Sequence, residues 1–224
     1  MNTPKAIIFD FDGVIVNSAK THAACWQAAY TVIAAKPLPP HAAKKLEKRA
    51  ASFCEKYLTS LLPENCDPQN LVKTKNEILL ANCHKIPTIP GIWPFLETLV
   101  LHAIPFGIAS NASRAYVSAT LQYHKANGQN LPDNLVMLGF EDYRAPKPSC
   151  EPFLRAAQKM AVPLGDHQKT YVFEDSPIGI HAALRAGMEP YGIGEGKGAQ
   201  DLYDAGAKRV FRDFLEVVDC FSLS

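Results

Sequence analysis

The feature that most constrains this chain is a short apolar run that ends in two aspartates. Residues 6–15 read AIIFDFDGVI, so a strand-forming segment leads into Asp10 and Asp12, and Gly13 follows at once. Because successive side chains of a strand point to opposite faces, carboxylates spaced i, i+2 share a face while the strand continues. Two carboxylates this close repel each other, which costs stability unless a cation or a phosphate site uses them. A solvated pair at a turn is the alternative, since Asp and Gly are also turn residues.

Length and composition are those of an ordinary globular protein. The 224 residues are 47% apolar and 20% charged, which allows a well-buried core and a modest second domain. With 23 basic and 22 acidic residues the net charge is +1, so no overall field favours nucleic acid or an anionic membrane. The six cysteines form no C-x-x-C pair, no signal-peptide pattern opens the chain, and no apolar run approaches the ~18 residues of a membrane span. We therefore expect a reduced, cytoplasmic protein.

Helical patterns fill the chain from residue 19 to about residue 85, without a convincing strand. The segment 19–35 is rich in alanine, and another helix is expected to begin after Asp67-Pro68. Between them, an apolar stripe at helical spacing consists of Leu46, Ala50, Phe53, Tyr57 and Leu61. Its opposite face carries Lys44, Lys45, Lys48 and Arg49, which we interpret as a solvated face. The aromatic residues expected in the core of this block are Trp26, Phe53 and Tyr57.

From residue 86 onward, short strands alternate with helices. Strands are predicted near 104–109, 135–138, 170–173, 190–193 and 208–211. Helices are predicted over 92–101, 113–123, 149–161, 177–187 and 213–219. This alternation predicts an α/β fold with a doubly wound, mostly parallel sheet and helices on both faces. The predicted domains are an α/β core from 1–18 and 86–224, and an inserted helical domain at 19–85.

Polar side chains follow four of the predicted strands. They are Asp10 and Asp12, Ser110 and Asn111, Lys147 in a loop, and Glu174 with Asp175. Parallel strands end at one edge of a sheet, where ligands collect, so these groups are expected to lie together. Carboxylates that outnumber a single lysine suit Mg²⁺, and a hydroxyl, an amide and an ammonium suit phosphate oxygens. The residues predict a Mg²⁺-dependent phosphate site with a carboxylate placed to attack.

The same residues carry a resemblance to a known family. The segments DFDGV at 10–14, SN at 110–111, APKP at 145–148 and FEDS at 173–176 resemble the four ordered motifs of the haloacid dehalogenase-like (HAD) hydrolase superfamily. Its β-phosphoglucomutase-like and phosphatase branch is the most similar. The resemblance spans about 1–18 and 86–220, and it implies a Rossmann-like core. Residues 19–85 resemble the small helical cap domain that this family inserts after its first motif.

The resemblance implies a role for each matched carboxylate. Asp10 would be the nucleophile that forms an aspartyl-phosphate, and Asp12 would be the general acid and then the general base. Mg²⁺ would be held by the Asp10 carboxylate, the main-chain carbonyl of Asp12 and the Asp175 carboxylate. Glu174 would contact the metal directly or through water.

The resemblance also implies the phosphate-binding groups. Ser110 and Lys147 would bind the transferring phosphoryl oxygens, with Asn111 as a secondary donor. His22 resembles a position that assists the acid/base aspartate in mutase-like members, although a surface histidine on a helix is an equal alternative.

The function implied is a phosphatase of a small phosphorylated metabolite, monomeric or a small homo-oligomer, with a cap that closes over the site. A hexose phosphate mutase is the first alternative. Residues 36–62 contain no glycine and Arg49 lies in an alanine-rich helix, unlike the mutase cap motif. A non-catalytic phosphate-binding protein is the alternative from another class, which the presence of Asp12 disfavours. Phosphonate cleavage and dehalogenation are disfavoured by Asp12, Glu174 and Asp175 together.

Overall fold

A six-stranded, all-parallel sheet is the centre of the computed structural model, which describes residues 3–46 and 51–220. The strands are β1 (Ala6–Phe9), β2 (Phe106–Ala109), β3 (Val136–Leu138), β4 (Thr170–Glu174), β5 (Glu189–Ile193) and β6 (Arg209–Phe211). Their order in the sheet is β3-β2-β1-β4-β5-β6, so β1 lies in the middle. The predicted α/β class with a doubly wound parallel sheet is confirmed.

Among the described residues, four helices follow β1 before the α/β pattern resumes with α5. They are α1 (Ala19–Ala34), α2 (Pro40–Lys45), α3 (Ala51–Thr59) and α4 (Pro68–Ala81). The later helices are α5 (Ile92–Leu101), α6 (Arg114–Ala126), α7 (Glu151–Lys159), α8 (Pro177–Arg185), α9 (Gly196–Asp204) and α10 (Phe214–Cys220). The sequence reasoning missed α9, because glycines at 194, 196 and 198 read as a loop. Among the described residues, no helix is both long enough and apolar enough to cross a membrane.

The central position of β1 follows from its composition. Its four residues are fully buried, as expected for a strand covered on both faces. On one face Phe9 packs against Phe95 of α5, Phe173 of β4 and Phe214 of α10, with ring centroids 5.6–6.2 Å from that of Phe9. On the other face the buried side chains come from β1, β2, β3, β4, α7 and α8, in a cluster that includes Ile8. A strand covered on both faces therefore leads directly into Asp10.

The chain divides into two compact units. Ser18–Ile86 forms one, and the segments before and after it form the other. Within the helical unit, Ser18 stands at the N-cap position of α1 but makes no side-chain cap bond, whereas Asp67 caps α4 by accepting from the Gln69 N–H. The sheet and its helices form the second unit, described above.

The core of the helical unit differs from the expected stripe. Trp26, Cys54 and Leu58 are buried, and Tyr57 is half-buried against them. Phe53 is 41% exposed and stacks on Tyr57, so its assignment to the core was wrong. The face of α3 that packs into the core contains Cys54 and Leu58. Each of these residues directly follows a residue of the predicted stripe, so the buried face is shifted by one position in the sequence. Ala50, Lys48 and Arg49 lie outside the described residues.

Candidate active site

The carboxyl ends of β1 and β4 bring the first acidic groups together. Phe9 pairs with Phe173 across the two strands, and the Asp10 N–H donates to the Phe173 carbonyl at 2.9 Å. Asp10 and Glu174 are therefore the next residues along two neighbouring parallel strands. Both side chains are buried, at 8% and 1% exposure. The register thus fixes two carboxylates side by side at the edge of the sheet.

Lys147 joins these two carboxylates. Its Nζ donates to Asp10 Oδ1 at 2.5 Å and to Glu174 Oε1 at 2.6 Å, and it lies 4.6 Å from the centre of the Phe153 ring. Desolvation alone would lower the pKa of Lys147, but the two carboxylates hold it above its ordinary value. Desolvation raises the pKa of Asp10 to about 7, against the lowering effect of Lys147. A single ammonium therefore only partly compensates the carboxylates around it.

Asp175 is the third member of this group. A carboxylate oxygen from each of Asp10, Glu174 and Asp175 lies within 4.8 Å of the others, the only such metal-compatible group among the described residues. Asp175 is exposed by surface area, yet desolvation of its carboxylate, and then the Asp10 and Glu174 charges, raise its pKa well above the ordinary value. No described residue donates a hydrogen bond to it. Three carboxylates with one lysine form a net-negative cluster of hard oxygen ligands, which fits Mg²⁺.

Glycines make room for this cluster. Gly13 has φ +82°, and a Cβ at this position would lie 1.9 Å from Asp175 Oδ2. Gly179, at the start of α8, lies under Glu174, whose Cδ would be 1.8 Å from an added Cβ. The Asp175 carboxylate therefore packs against the main chain at Gly13, and the Glu174 carboxylate packs against the main chain at Gly179.

Glu174 is held by the chain that follows it. Its Oε2 accepts from the Asp175 N–H at 3.1 Å, the Ser176 N–H at 3.2 Å and the Ser176 hydroxyl at 2.9 Å. Because Oε1 accepts from Lys147, both oxygens of Glu174 are engaged within the protein. By contrast, the Lys147 ammonium is the only described group that donates to the Asp10 carboxylate, and it uses Oδ1. The open oxygens of the cluster therefore belong to Asp10 and Asp175.

Ser110 and Asn111 follow β2, the other neighbour of β1. Ser110 is buried, and its Oγ accepts from the Ala112 N–H at 3.1 Å, which leaves the hydroxyl proton to donate. Asn111 binds the main chain of Lys147: its Oδ1 accepts from the Lys147 N–H at 3.2 Å. Its Nδ2 donates to the Lys147 carbonyl at 3.5 Å. Asn111 thus ties the end of β2 to the lysine loop.

Tyr143 and Glu151 fix the same loop from either side. The Tyr143 hydroxyl lies 2.5 Å from the Ser110 carbonyl oxygen and 3.0 Å from Asn111 Oδ1, so its single proton is shared between these two acceptors. The Glu151 carboxylate accepts from the Arg144 and Ala145 N–H groups at 2.9–3.1 Å. The sequence reasoning missed both residues, and their positions just before and after Lys147 are the only signal that points to them.

Asp12 is oriented differently from the other carboxylates. It is not part of the 4.8 Å group, and its Oδ1 accepts from the Tyr116 hydroxyl at 3.0 Å. Tyr116 lies in the first turn of α6, and sequence reasoning missed it as well. His22 lies in α1, in the helical unit, where it is half-buried. Of the site residues expected from the sequence, the structure therefore unites Asp10, Lys147, Glu174 and Asp175.

The fold and this cluster define a class of protein: a doubly wound α/β enzyme whose acidic site lies at the carboxyl edge of the sheet. A sequence model of the family described as "Haloacid dehalogenase-like hydrolase" matches residues 7–193. The chain belongs to this family, as its motifs indicated. The predicted enzyme class, a phosphoric monoester hydrolase, is confirmed by this family together with relatives that are named as phosphatases.

Individual proteins show the same relationship. β-Phosphoglucomutase of Bacillus subtilis (strain 168) is 28% identical over 214 residues, which cover 86% of this chain and 84% of that protein. The bifunctional riboflavin kinase/FMN phosphatase of Arabidopsis thaliana is 28% identical over 137 residues, 61% of this chain. That match spans only 34% of the plant protein. The crystal structure of a HAD hydrolase, family IA, variant 3, from Entamoeba histolytica HM-1:IMSS has a TM-score of 0.76, with 26% identity and 94% coverage of both chains.

Proposed function

We propose that this protein is a Mg²⁺-dependent phosphatase that hydrolyses a small phosphorylated metabolite through an aspartyl-phosphate on Asp10. The observation that carries the proposal is the buried cluster in which Lys147 contacts Asp10 and Glu174, with Asp175 alongside. A fixed lysine beside a carboxylate with one open oxygen is what attack on a phosphoryl group needs, because phosphoryl transfer depends on positioning and charge stabilisation.

The cluster also supports the choice of metal. Burial, and then the charges of neighbouring carboxylates, raise the pKa of Asp10 and Asp175 against the lowering effect of Lys147, so a bound cation would stabilise their charged forms. We assign the direct carboxylate ligands to Asp10 and Asp175, whose oxygens are open, together with the main-chain carbonyl of Asp12. Glu174 is engaged on both oxygens, which favours contact through water. When bound, Mg²⁺ would neutralise charge on the cluster and on the transferring phosphoryl group.

The chemistry of the chain's own residues follows from their positions. The Asp10 carboxylate attacks phosphorus while the bond to the leaving oxygen breaks, and Asp12 gives that oxygen its proton. Lys147 and the Ser110 hydroxyl donate to the phosphoryl oxygens, with Asn111 as a further donor that also holds the lysine loop. Asp12 then removes a proton from water, which attacks the aspartyl-phosphate and releases inorganic phosphate.

We assign substrate selection to the helical unit, because the groups at the sheet edge recognise only what all phosphate monoesters share. His22 remains our candidate there for assisting Asp12. The chain is proposed to act as a monomer or a small homo-oligomer.

The deciding experiment is phosphate release from a panel of phosphorylated sugars, polyols and nucleotides, with Mg²⁺ and with EDTA. We expect Mg²⁺-dependent release from a subset of the panel, and its loss in Asp10→Asn. Asp201→Asn is the matched control, since Asp201 lies exposed on α9 away from the site. Release that persists in EDTA would contradict the metal, and an active Asp10→Asn variant would contradict the nucleophile.

A hexose phosphate mutase is the second candidate, supported by the similarity to β-phosphoglucomutase over 86% of the chain. The panel therefore includes β-glucose 1-phosphate, with the products followed by ³¹P NMR. Conversion to another hexose phosphate without release of inorganic phosphate would favour the mutase.

A further inference from the structure

The contact between Tyr116 and Asp12 has no part in the phosphatase chemistry described so far. Tyr116 is 2% exposed, and its hydroxyl donates to Asp12 Oδ1 at 3.0 Å. The two residues are 104 positions apart in the sequence. A buried tyrosine hydroxyl requires a polar partner, and the partner here is the carboxylate expected to move protons.

Tyr116 is fixed from several directions. Its main-chain N–H donates to the Ser113 hydroxyl, which caps α6. Its ring meets the ring of Phe11 edge to face, with centroids 5.5 Å apart. Phe11 separates the two aspartates in the sequence, and it is fully buried. The hydroxyl therefore has a set position relative to the backbone that carries Asp12.

The contact also has a direction. A hydroxyl that donates to Oδ1 keeps that oxygen an acceptor, so a proton carried by Asp12 resides on Oδ2. Asp12 is outside the group formed by Asp10, Glu174 and Asp175, so Tyr116 contacts a carboxylate that is separate from that group.

We propose that Tyr116 is a positioning residue for Asp12, which holds the carboxylate so that Oδ2 faces the leaving oxygen. This inference rests on the proposed phosphatase function. As the Asp10–phosphorus bond forms and the bond from phosphorus to the leaving oxygen breaks, the proton on Asp12 Oδ2 moves to that oxygen. In the second half, the same oxygen takes a proton from the water that attacks phosphorus, and the bond between Asp10 and phosphorus breaks. The products are inorganic phosphate and the free Asp10 carboxylate.

The test compares two aryl esters of nearly the same shape, phenyl phosphate and 4-nitrophenyl phosphate. Phenolate is the poorer leaving group and needs the proton from Asp12, whereas 4-nitrophenolate departs without it. The constant kcat/KM includes only steps up to departure of the leaving group, so hydrolysis of the aspartyl-phosphate does not affect it. A structural defect in the site would lower kcat/KM for both esters alike.

For Tyr116→Phe we expect kcat/KM to fall by roughly 10- to 100-fold with phenyl phosphate, part of what general acid catalysis supplies. With 4-nitrophenyl phosphate it should change by no more than a few fold. Tyr123→Phe, on the same helix but 40% exposed, is the matched control and should leave both values unchanged. Equal losses on both esters, or no loss on either, would overturn the proposal.

Crystal structures of the wild type and Tyr116→Phe give a second readout that does not require turnover. We expect the Asp12 carboxylate to leave its wild-type orientation in the variant, and an unchanged orientation would overturn the positioning role. If the wild type hydrolyses neither ester nor any of the panel with Mg²⁺, the proposed function fails. The two crystal structures then still decide whether Tyr116 sets the position of Asp12.

Discussion

Gly13→Ala is the substitution for which the structure gives the sharpest expectation. Gly13 combines φ +82° with a Cβ position only 1.9 Å from Asp175 Oδ2. Gly128 provides the matched control, because it has φ +93° but nothing within 4 Å of an added Cβ. The two variants therefore share the backbone strain, and only Gly13→Ala displaces a carboxylate of the site.

The strain sets the shared part of the effect. A left-handed backbone costs an L-residue other than glycine about 1–2 kcal/mol, so Gly128→Ala should lose about that much stability. For a chain of this size that lowers Tm by roughly 2–8 °C. Gly13→Ala should lose at least as much, and its Asp175 carboxylate must move out of contact with Asp10 and Glu174, since a 1.9 Å contact cannot be accommodated.

The assay is urea unfolding of both variants and the wild type, with EDTA and with Mg²⁺. At about 100 times Kd, Mg²⁺ adds ~2.7 kcal/mol to wild-type stability, and a tenfold weaker affinity reduces this by about 1.4 kcal/mol. We expect Gly128→Ala to keep the full Mg²⁺ effect and the phosphate-release activity, and Gly13→Ala to lose most of both. An equal response of the two variants to Mg²⁺, with equal activity, would refute the role of Gly13 as the space for Asp175.

Three further outcomes follow from the charges of the site. The folded-state pKa of Asp10 is about 7, above the ordinary 3.8. In EDTA, the contribution of Asp10 to the free energy of unfolding is therefore fully present below pH ~4 and is lost as the pH rises through 7. In Asp10→Asn, the free energy of unfolding measured with urea should fall less steeply from pH 4 to pH 8 than it does in the wild type. An unchanged slope would contradict the raised pKa of Asp10. Lys147→Met should destabilise the metal-free protein by about 3–5 kcal/mol, since two carboxylates lose their buried partner, and Mg²⁺ should recover part of this. Ser110→Ala should raise KM for the best substrate of the panel without changing the Tm in EDTA by more than about 4 °C, and an unchanged KM would exclude the hydroxyl as a phosphate donor.

Much of the fold and part of the cluster could be predicted from local pattern. The run at 6–9 and the helix at 92–101 are strongly apolar, and their positions agree with β1 and α5. Asp10 and Glu174 come together because parallel strands end at one edge, so order along the chain was enough to place them. Prediction failed where the local pattern was weak. The glycines around the start of α9 favoured a loop, so this helix was not predicted. The apolar stripe was shifted by one residue from the buried face of α3, so Phe53 was wrongly assigned to the core.

The sequence by itself determined the alternation of strands and helices, the strand-end carboxylates and their lysine, since each depends on residues close in the chain. Only the tertiary structure decided which partners those groups have. Asn111 and Tyr143 hold the Lys147 loop, Gly13 lies against Asp175, and Tyr116 reaches Asp12. These contacts join residues that are 32 to 162 positions apart, and side-chain direction at such separations depends on packing that no local spacing encodes.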